Sequence, residues 1–93
     1  MSTGDQSEGQ VLRLNRLFRL QWEQAQEAWV LLYPEGMVKL NGPAGEILKR
    51  CDGRLTEEEL IADLEATFNQ TGIGPEIRNF LGEARRRNWL QEG

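Results

Sequence analysis

The chain has 93 residues, with 11 Lys and Arg against 15 Asp and Glu, a formal net charge of −4 and no histidine. That length fits one domain with a single modest core. The acidic balance argues against general nucleic-acid binding, which needs a basic face. The lack of histidine removes the commonest general base and metal ligand.

Cys51 is the one cysteine, so no internal disulfide forms and no second thiol is present for a metal or an iron–sulfur cluster. A lone thiol fits a reducing cytoplasm. Ser2 and Ser7 are the only serines and lie in a polar N-terminal stretch. No Gly-rich phosphate loop is present. Glu57, Glu58, Glu59, Asp63 and Glu65 read as a solvated helix start and face. No catalysis, metal or cofactor is therefore expected of this chain. Met1 to Gln10 has no apolar run, so no signal peptide is expected. No apolar stretch approaches the ~20 residues of a membrane span.

In chain order, Met1 to Gln10 is polar and is expected to be a disordered tail, with the folded domain spanning residues 11–93. Val11 to Leu17 alternates mildly and reads either as an extended arm on the domain or as an extra edge strand. Phe18 to Trp22 alternates clearly, with Phe18, Leu20 and Trp22 on one face, and reads as a half-buried strand. Ala28 to Tyr33 is a second strand, apolar on both faces. Either it is the buried middle strand of a meander, or its second face is covered by the arm, another subunit or a partner. Tyr33-Pro34-Glu35-Gly36 has turn chemistry. Met37 to Leu40 then reads as a third strand with an open outer edge.

Three helices are expected next. Asn41-Gly42-Pro43 stops the strand and opens the first, roughly Pro43 to Cys51, which Asp52-Gly53 ends. Thr56 and Glu59 have the spacing of a capping box, and Leu55 and Leu60 that of a hydrophobic staple. Leu60, Ile61, Leu64 and Phe68 mark the inward face of the second helix. Gly74-Pro75 opens the third, with Ile77, Phe80, Leu81 and Ala84 inward. Arg85-Arg86-Arg87 suits its C-terminal dipole. Asn88 suits a left-handed residue that folds Trp89-Leu90 back onto the core.

The expected class is α+β: a three-stranded antiparallel sheet followed by three helices, in the outline of a winged helix-turn-helix. In that frame a DNA-binding regulator is the alternative function, with the third helix as reader. Its N-terminus, Pro75-Glu76-Ile77, is a poor base reader, and its arginines are accounted for by the dipole.

The stretch LQWEQAQEAWVLLYPEGMVKLNGPAGEILKRCDGRLTEEEL, Leu20 to Leu60, strongly resembles the PqqD family. LLYPEGMVKLN, the G-E-I-L run and the D-G pair carry the likeness, which spans about Leu14 to Leu90. It departs at Gly42-Pro43, where relatives commonly have a polar residue and serine, and at Asn88, where glycine is common. The resemblance implies a peptide chaperone of pyrroloquinoline quinone biosynthesis, not an enzyme and without a cofactor. It further implies a cytoplasmic protein that binds the ribosomally made precursor PqqA and presents it to the radical S-adenosylmethionine enzyme PqqE. No nucleic-acid or membrane partner is implied.

Beside that likeness, the open third strand offers β-augmentation to a disordered peptide. The backbone of Met37, Val38, Lys39, Leu40 and Asn41 would supply the hydrogen bonds. Ile77 and Leu81, with Phe80, would line a groove between this strand and the third helix. Arg78 and Arg85, close to two turns apart on one helix face, would join Lys39 in pairing with peptide carboxylates.

Overall fold

A computed structural model describes residues 10–91 of the chain. The expected tail lies outside the described residues, except for Gln10. Five strands and three helices follow in the order β1 (Val11–Arg13), β2 (Arg19–Glu23), β3 (Ala28–Tyr33), β4 (Gly36–Lys39), α1 (Gly42–Lys49), β5 (Asp52–Thr56), α2 (Glu57–Phe68) and α3 (Gly74–Arg86). The strands β2, β3 and β4 form an antiparallel meander with β3 in the middle. This is the expected α+β arrangement of three strands and three helices.

One element was not expected. The sequence reading ends the first helix at Asp52-Gly53 and passes directly to the second. The structure makes Asp52–Thr56 a strand, paired antiparallel with β1 in a separate two-stranded sheet. The Val11–Leu17 segment is thus anchored by this pairing, by Leu14 N–H donating to Cys51 O at 3.0 Å, and by a bridge from Leu14 to Leu90. Gly53 permits it in two ways. Its φ is +89°, and a Cβ there would lie 2.5 Å from Nη2 of Arg13.

The register explains the two-sided apolarity of β3. Leu20, Leu31 and Val38 form one cross-strand row on the core side. Gln21, Val30 and Lys39 form a row on the opposite, outer side, next to the row of Arg19, Leu32 and Met37. Leu31 and Val30 are both 0% exposed, although Val30 stands outside the main core cluster. As the middle strand it has a neighbour on each side, while β1 of the arm pairs with β5 and Leu17 of the arm lies beside Leu32 and Tyr33.

The core joins β3 to all three helices through Leu31, Leu48, Leu60, Leu64 and Leu81, each under 2% exposed. A buried leucine of this kind contributes roughly 1.5–3 kcal/mol. Helix α1 approaches β3 so closely that a Cβ on Gly45 would stand 2.5 Å from Cδ1 of Trp29. Asn41 caps α1 by accepting from Ala44 N–H at 2.8 Å. The Thr56–Glu59 capping box opens α2 in both its hydrogen bonds. Asn88 is left-handed at φ 63°, and Trp89 and Leu90 turn back into the core at 8% and 4% exposure.

The acidic face of α2 is more engaged than a solvated face would be. Glu65 accepts from Gly72 N–H at 3.0 Å and Ile73 N–H at 3.4 Å, which secures the turn into α3. Asp63 accepts from Arg50 Nε at 2.6 Å. Arg50 also donates to Glu46 Oε1 at 2.7 Å and Thr67 Oγ1 at 3.2 Å, and so clamps α1 to α2. Burial opposes the charge of Arg50, but the hydrogen bonds to Glu46 and Asp63 outweigh it and raise its pKa. The same Arg50 contact holds the Glu46 carboxyl below its ordinary range.

Candidate peptide-docking edge and cleft

Strand β4 is an edge of the meander, and its pairing shows which backbone groups remain available. Leu40 N–H donates to Trp29 O at 2.9 Å. Bonded and non-bonded pairs alternate along an antiparallel ladder. Val38, opposite Leu31, therefore also bonds inward, while the N–H and C=O groups of Met37 and Lys39 point away from β3. These two residues carry the open edge. Their side chains share the outer face, where Met37 is 53% exposed.

A cleft of about 250 Å³ opens at the C-terminal end of β4. Asn41, Pro43, Ala44 and Ile47 form one wall, Leu64 and Phe68 of α2 another, and Ile73, Glu76, Ile77 and Phe80 of α3 the third. Its walls are largely apolar, with Asn41, Gln70 and Glu76 as polar groups at hand. Phe68, expected on the inward face of α2, is 39% exposed and lines this cleft. Phe80 is partly buried, with its ring centroid 6.3 Å from that of Trp89. The edge of β2 is also open, but this cleft adjoins only the β4 end of the sheet, through Asn41.

The residues named from the sequence divide into three groups. Met37 and Lys39 stand on the open edge, Val38 is half-buried beneath it, and Asn41 is both helix cap and cleft wall. Leu40 is 6% exposed, Ile77 4% and Leu81 0%, which places all three in the core cluster. Ile77 still reaches the cleft wall, but Leu81 offers no surface to a ligand. Periodicity put Phe80 and Leu81 on one broad helical face and did not say which of them would be covered.

Arg78 and Arg85 do not stand free in a groove. Both converge on Glu57 at the start of α2, with Nε of Arg78 3.0 Å and Nη2 of Arg85 3.6 Å from its carboxylate. At 100° per residue they lie roughly 140–160° around α3 from Phe80. They share a face, as their spacing requires, but it turns toward Glu57 and not toward the Phe80 side that borders the cleft. Nothing local to α3 identifies this partner, which lies 21 residues away in sequence from Arg78.

Among the described residues, no cluster of three or more His, Cys, Asp or Glu side chains could hold a metal ion. Burial pushes the Cys51 thiol up to about 12, and its Sγ donates to Ile47 O at 3.4 Å. Such a buried, protonated thiol is a poor nucleophile at neutral pH. No described helix is long and apolar enough to cross a membrane.

Comparison with known proteins decides the family. The model for PqqD, described as coenzyme PQQ synthesis protein D, matches residues 28–90. The chain belongs to the PqqD family. It is 49% identical over 77 residues to the "PqqA binding protein" of Acinetobacter baylyi, covering 82% of this chain and 78% of that one. It is 42% identical over 82 residues to the protein of the same name from Methylococcus capsulatus, covering 88% of each. Among solved structures, it resembles the PqqD truncation of Methylobacterium extorquens PqqCD. The TM-score is 0.73 at 27% identity, over 94% of this chain and 99% of that one. That PqqD is described as a functional, stand-alone recognition element for ribosomally synthesized, post-translationally modified peptides. The heterocyclase TruD shares the fold over 12% of its length, with a TM-score of 0.68 at 20% identity.

Proposed function

We propose that this PqqD-family chain is a non-catalytic peptide adaptor that binds the precursor PqqA by strand addition to β4. It then presents the bound peptide to the radical S-adenosylmethionine enzyme PqqE in the cytoplasm. The observation that carries the reading is an open edge, bearing the outward N–H and C=O groups of Met37 and Lys39, with an apolar cleft among the helices that begins at Asn41, two residues beyond the strand. An extended peptide gains affinity from the edge backbone and specificity from side-chain pockets.

The relatives named as PqqA binding proteins and the peptide-recognition role described for the M. extorquens domain support this assignment. Within the site, Met37, Val38, Lys39 and Asn41 form the docking strand and its end. Ile77 and Phe80 line the cleft, while Leu40 and Leu81, read from the sequence as part of the same site, lie in the core behind it. Arg78 and Arg85 contribute through Glu57, by fixing α3 against α2. The arginines near the end of α3 are also engaged, Arg86 and Arg87 both with Glu83. That pairing weighs against a DNA-reading helix.

Titration of the isotopically labelled chain with PqqA tests the reading. Amide signals of residues 37–41 and of the cleft wall around Phe80 are expected to move. Binding of PqqE to the chain–peptide complex is expected by sedimentation or gel filtration. Amide shifts confined to the β2 edge, or tighter binding to duplex DNA than to peptide at moderate salt, would overturn it.

A further inference from the structure

We propose that the β4 edge reads a two-residue spacing in its peptide: a carboxylate opposite Lys39 and a large apolar side chain opposite Met37. The inference rests on the strand-addition reading above and specifies the sequence that such a strand must present.

The geometry follows from the sheet. A strand that joins β4 extends each cross-strand row by one residue. The residue opposite Lys39 continues the row of Gln21, Val30 and Lys39, and the residue opposite Met37 continues the row of Arg19, Leu32 and Met37. Both new side chains lie on the outer face, because residues directly opposite share a face. They are two residues apart whether the peptide runs parallel or antiparallel, because the side-chain period of a strand is two. The residue between them faces the Val38 side.

Charge and exposure select what these two positions want. From residue 41 onward, each described lysine and arginine has a carboxylate within ion-pairing distance, whereas Arg13, Arg16 and Arg19 have none among the described residues and lie off the β4 edge. Lys39 has none among the described residues, and it stands on the edge that the peptide would join. A carboxylate directly opposite is the complement that the sheet itself does not provide. Met37 is 53% exposed beside Leu32, an apolar surface that an apolar neighbour would cover.

The test uses PqqA as probe. Each Asp and Glu of the peptide is changed singly to Lys and titrated against the wild-type chain and Lys39→Glu, with thermal melts to confirm folding. One position is expected at which the change weakens wild-type binding by about fivefold or less, the scale of an exposed pair. At that same position the change should restore binding to Lys39→Glu. Alanine at the apolar residue two positions away should be non-additive with Met37→Ala. Equal effects at every acidic position, with no rescue, would overturn the spacing and leave strand addition standing. Rescue at a position whose second neighbour is additive with Met37→Ala would also overturn it. No binding by the wild-type chain would overturn the strand-addition reading, and the spacing with it.

Discussion

The helical layer and the free edge of the meander treat polar groups in opposite ways. In the helical layer, Arg50 binds Glu46, Asp63 and Thr67 across α1 and α2, and Arg78 and Arg85 share Glu57 across α2 and α3. Beneath these pairs lie Leu48, Leu60, Leu64 and Leu81, none more than 1% exposed. On β4, Met37 and Lys39 turn their backbone groups away from the sheet, Lys39 has no carboxylate partner among the described residues, and Met37 stands half in water. Satisfied groups hold a fold in one arrangement, whereas unsatisfied edge groups are a template for another chain. On the proposed reading, the first region supplies the rigidity against which the second binds its peptide.

The largest expected effect tests the helical side. Leu81→Ala should cost about 2–5 kcal/mol, the usual result of emptying a fully buried site, as read by denaturant unfolding. Any loss of peptide affinity should then follow the loss of folded protein. An unchanged midpoint with selectively lost binding would move Leu81 back from the core to the cleft.

Proline on adjacent edge positions divides the comparison within a single strand. Leu40→Pro removes the donor to Trp29 O and should destabilise the sheet by about 1–3 kcal/mol through the orphaned carbonyl. Lys39→Pro removes only an outward donor, so the fold should survive while peptide affinity falls at least tenfold, about 1.4 kcal/mol. Full binding by a folded Lys39→Pro variant would break the strand-addition reading.

Gly45→Ala probes the joint between the two regions. Its Cβ would meet the Trp29 ring at 2.5 Å, so α1 and β3 must part, at about 1–3 kcal/mol. A melt indistinguishable from wild type would mean that the ring yields freely.

Arg50→Ala should cost about 1 kcal/mol, since its partners are partly solvated. It carries a pH signature. Glu46 is held below its ordinary value of 4.5 in the folded chain by Arg50. Its contribution is therefore fully present above that value and is lost as pH falls through the lower, folded pKa. Arg50→Ala should flatten that part of the acid limb of the stability curve, and an unchanged limb would count against the pair. The smallest effects belong to Arg78→Ala and Arg85→Ala. Each should alter PqqA affinity by less than about twofold, because both face Glu57 and exposed pairs are weak. A collapse of binding in either would return them to the recognition surface.

What the sequence determined by itself was local. Alternation marked β2 and β4, a run apolar on both faces marked β3, the turn chemistry of Tyr33–Gly36 joined two of them, and the Thr56–Glu59 capping box set the start of α2. The left-handed Asn88 and the return of Trp89 and Leu90 were legible for the same reason, since each depends on a few consecutive residues. The open edge could be placed, because a helix follows β4 where another strand would have closed the sheet.

The tertiary structure decided which neighbour covers each face. Pairing of β1 with β5 was invisible because both strands are short and mixed in polarity, and their partner is far along the chain. The 3.6-residue period put Phe80 and Leu81 on one side of α3, but only packing buried Leu81 and left Phe80 at the cleft. Arg78 and Arg85 were correctly placed on one face, yet their partner Glu57 belongs to another helix. Periodicity gives the direction of a side chain from its own axis. What it meets there depends on how the axes are packed, and that is fixed by contacts between residues distant in sequence.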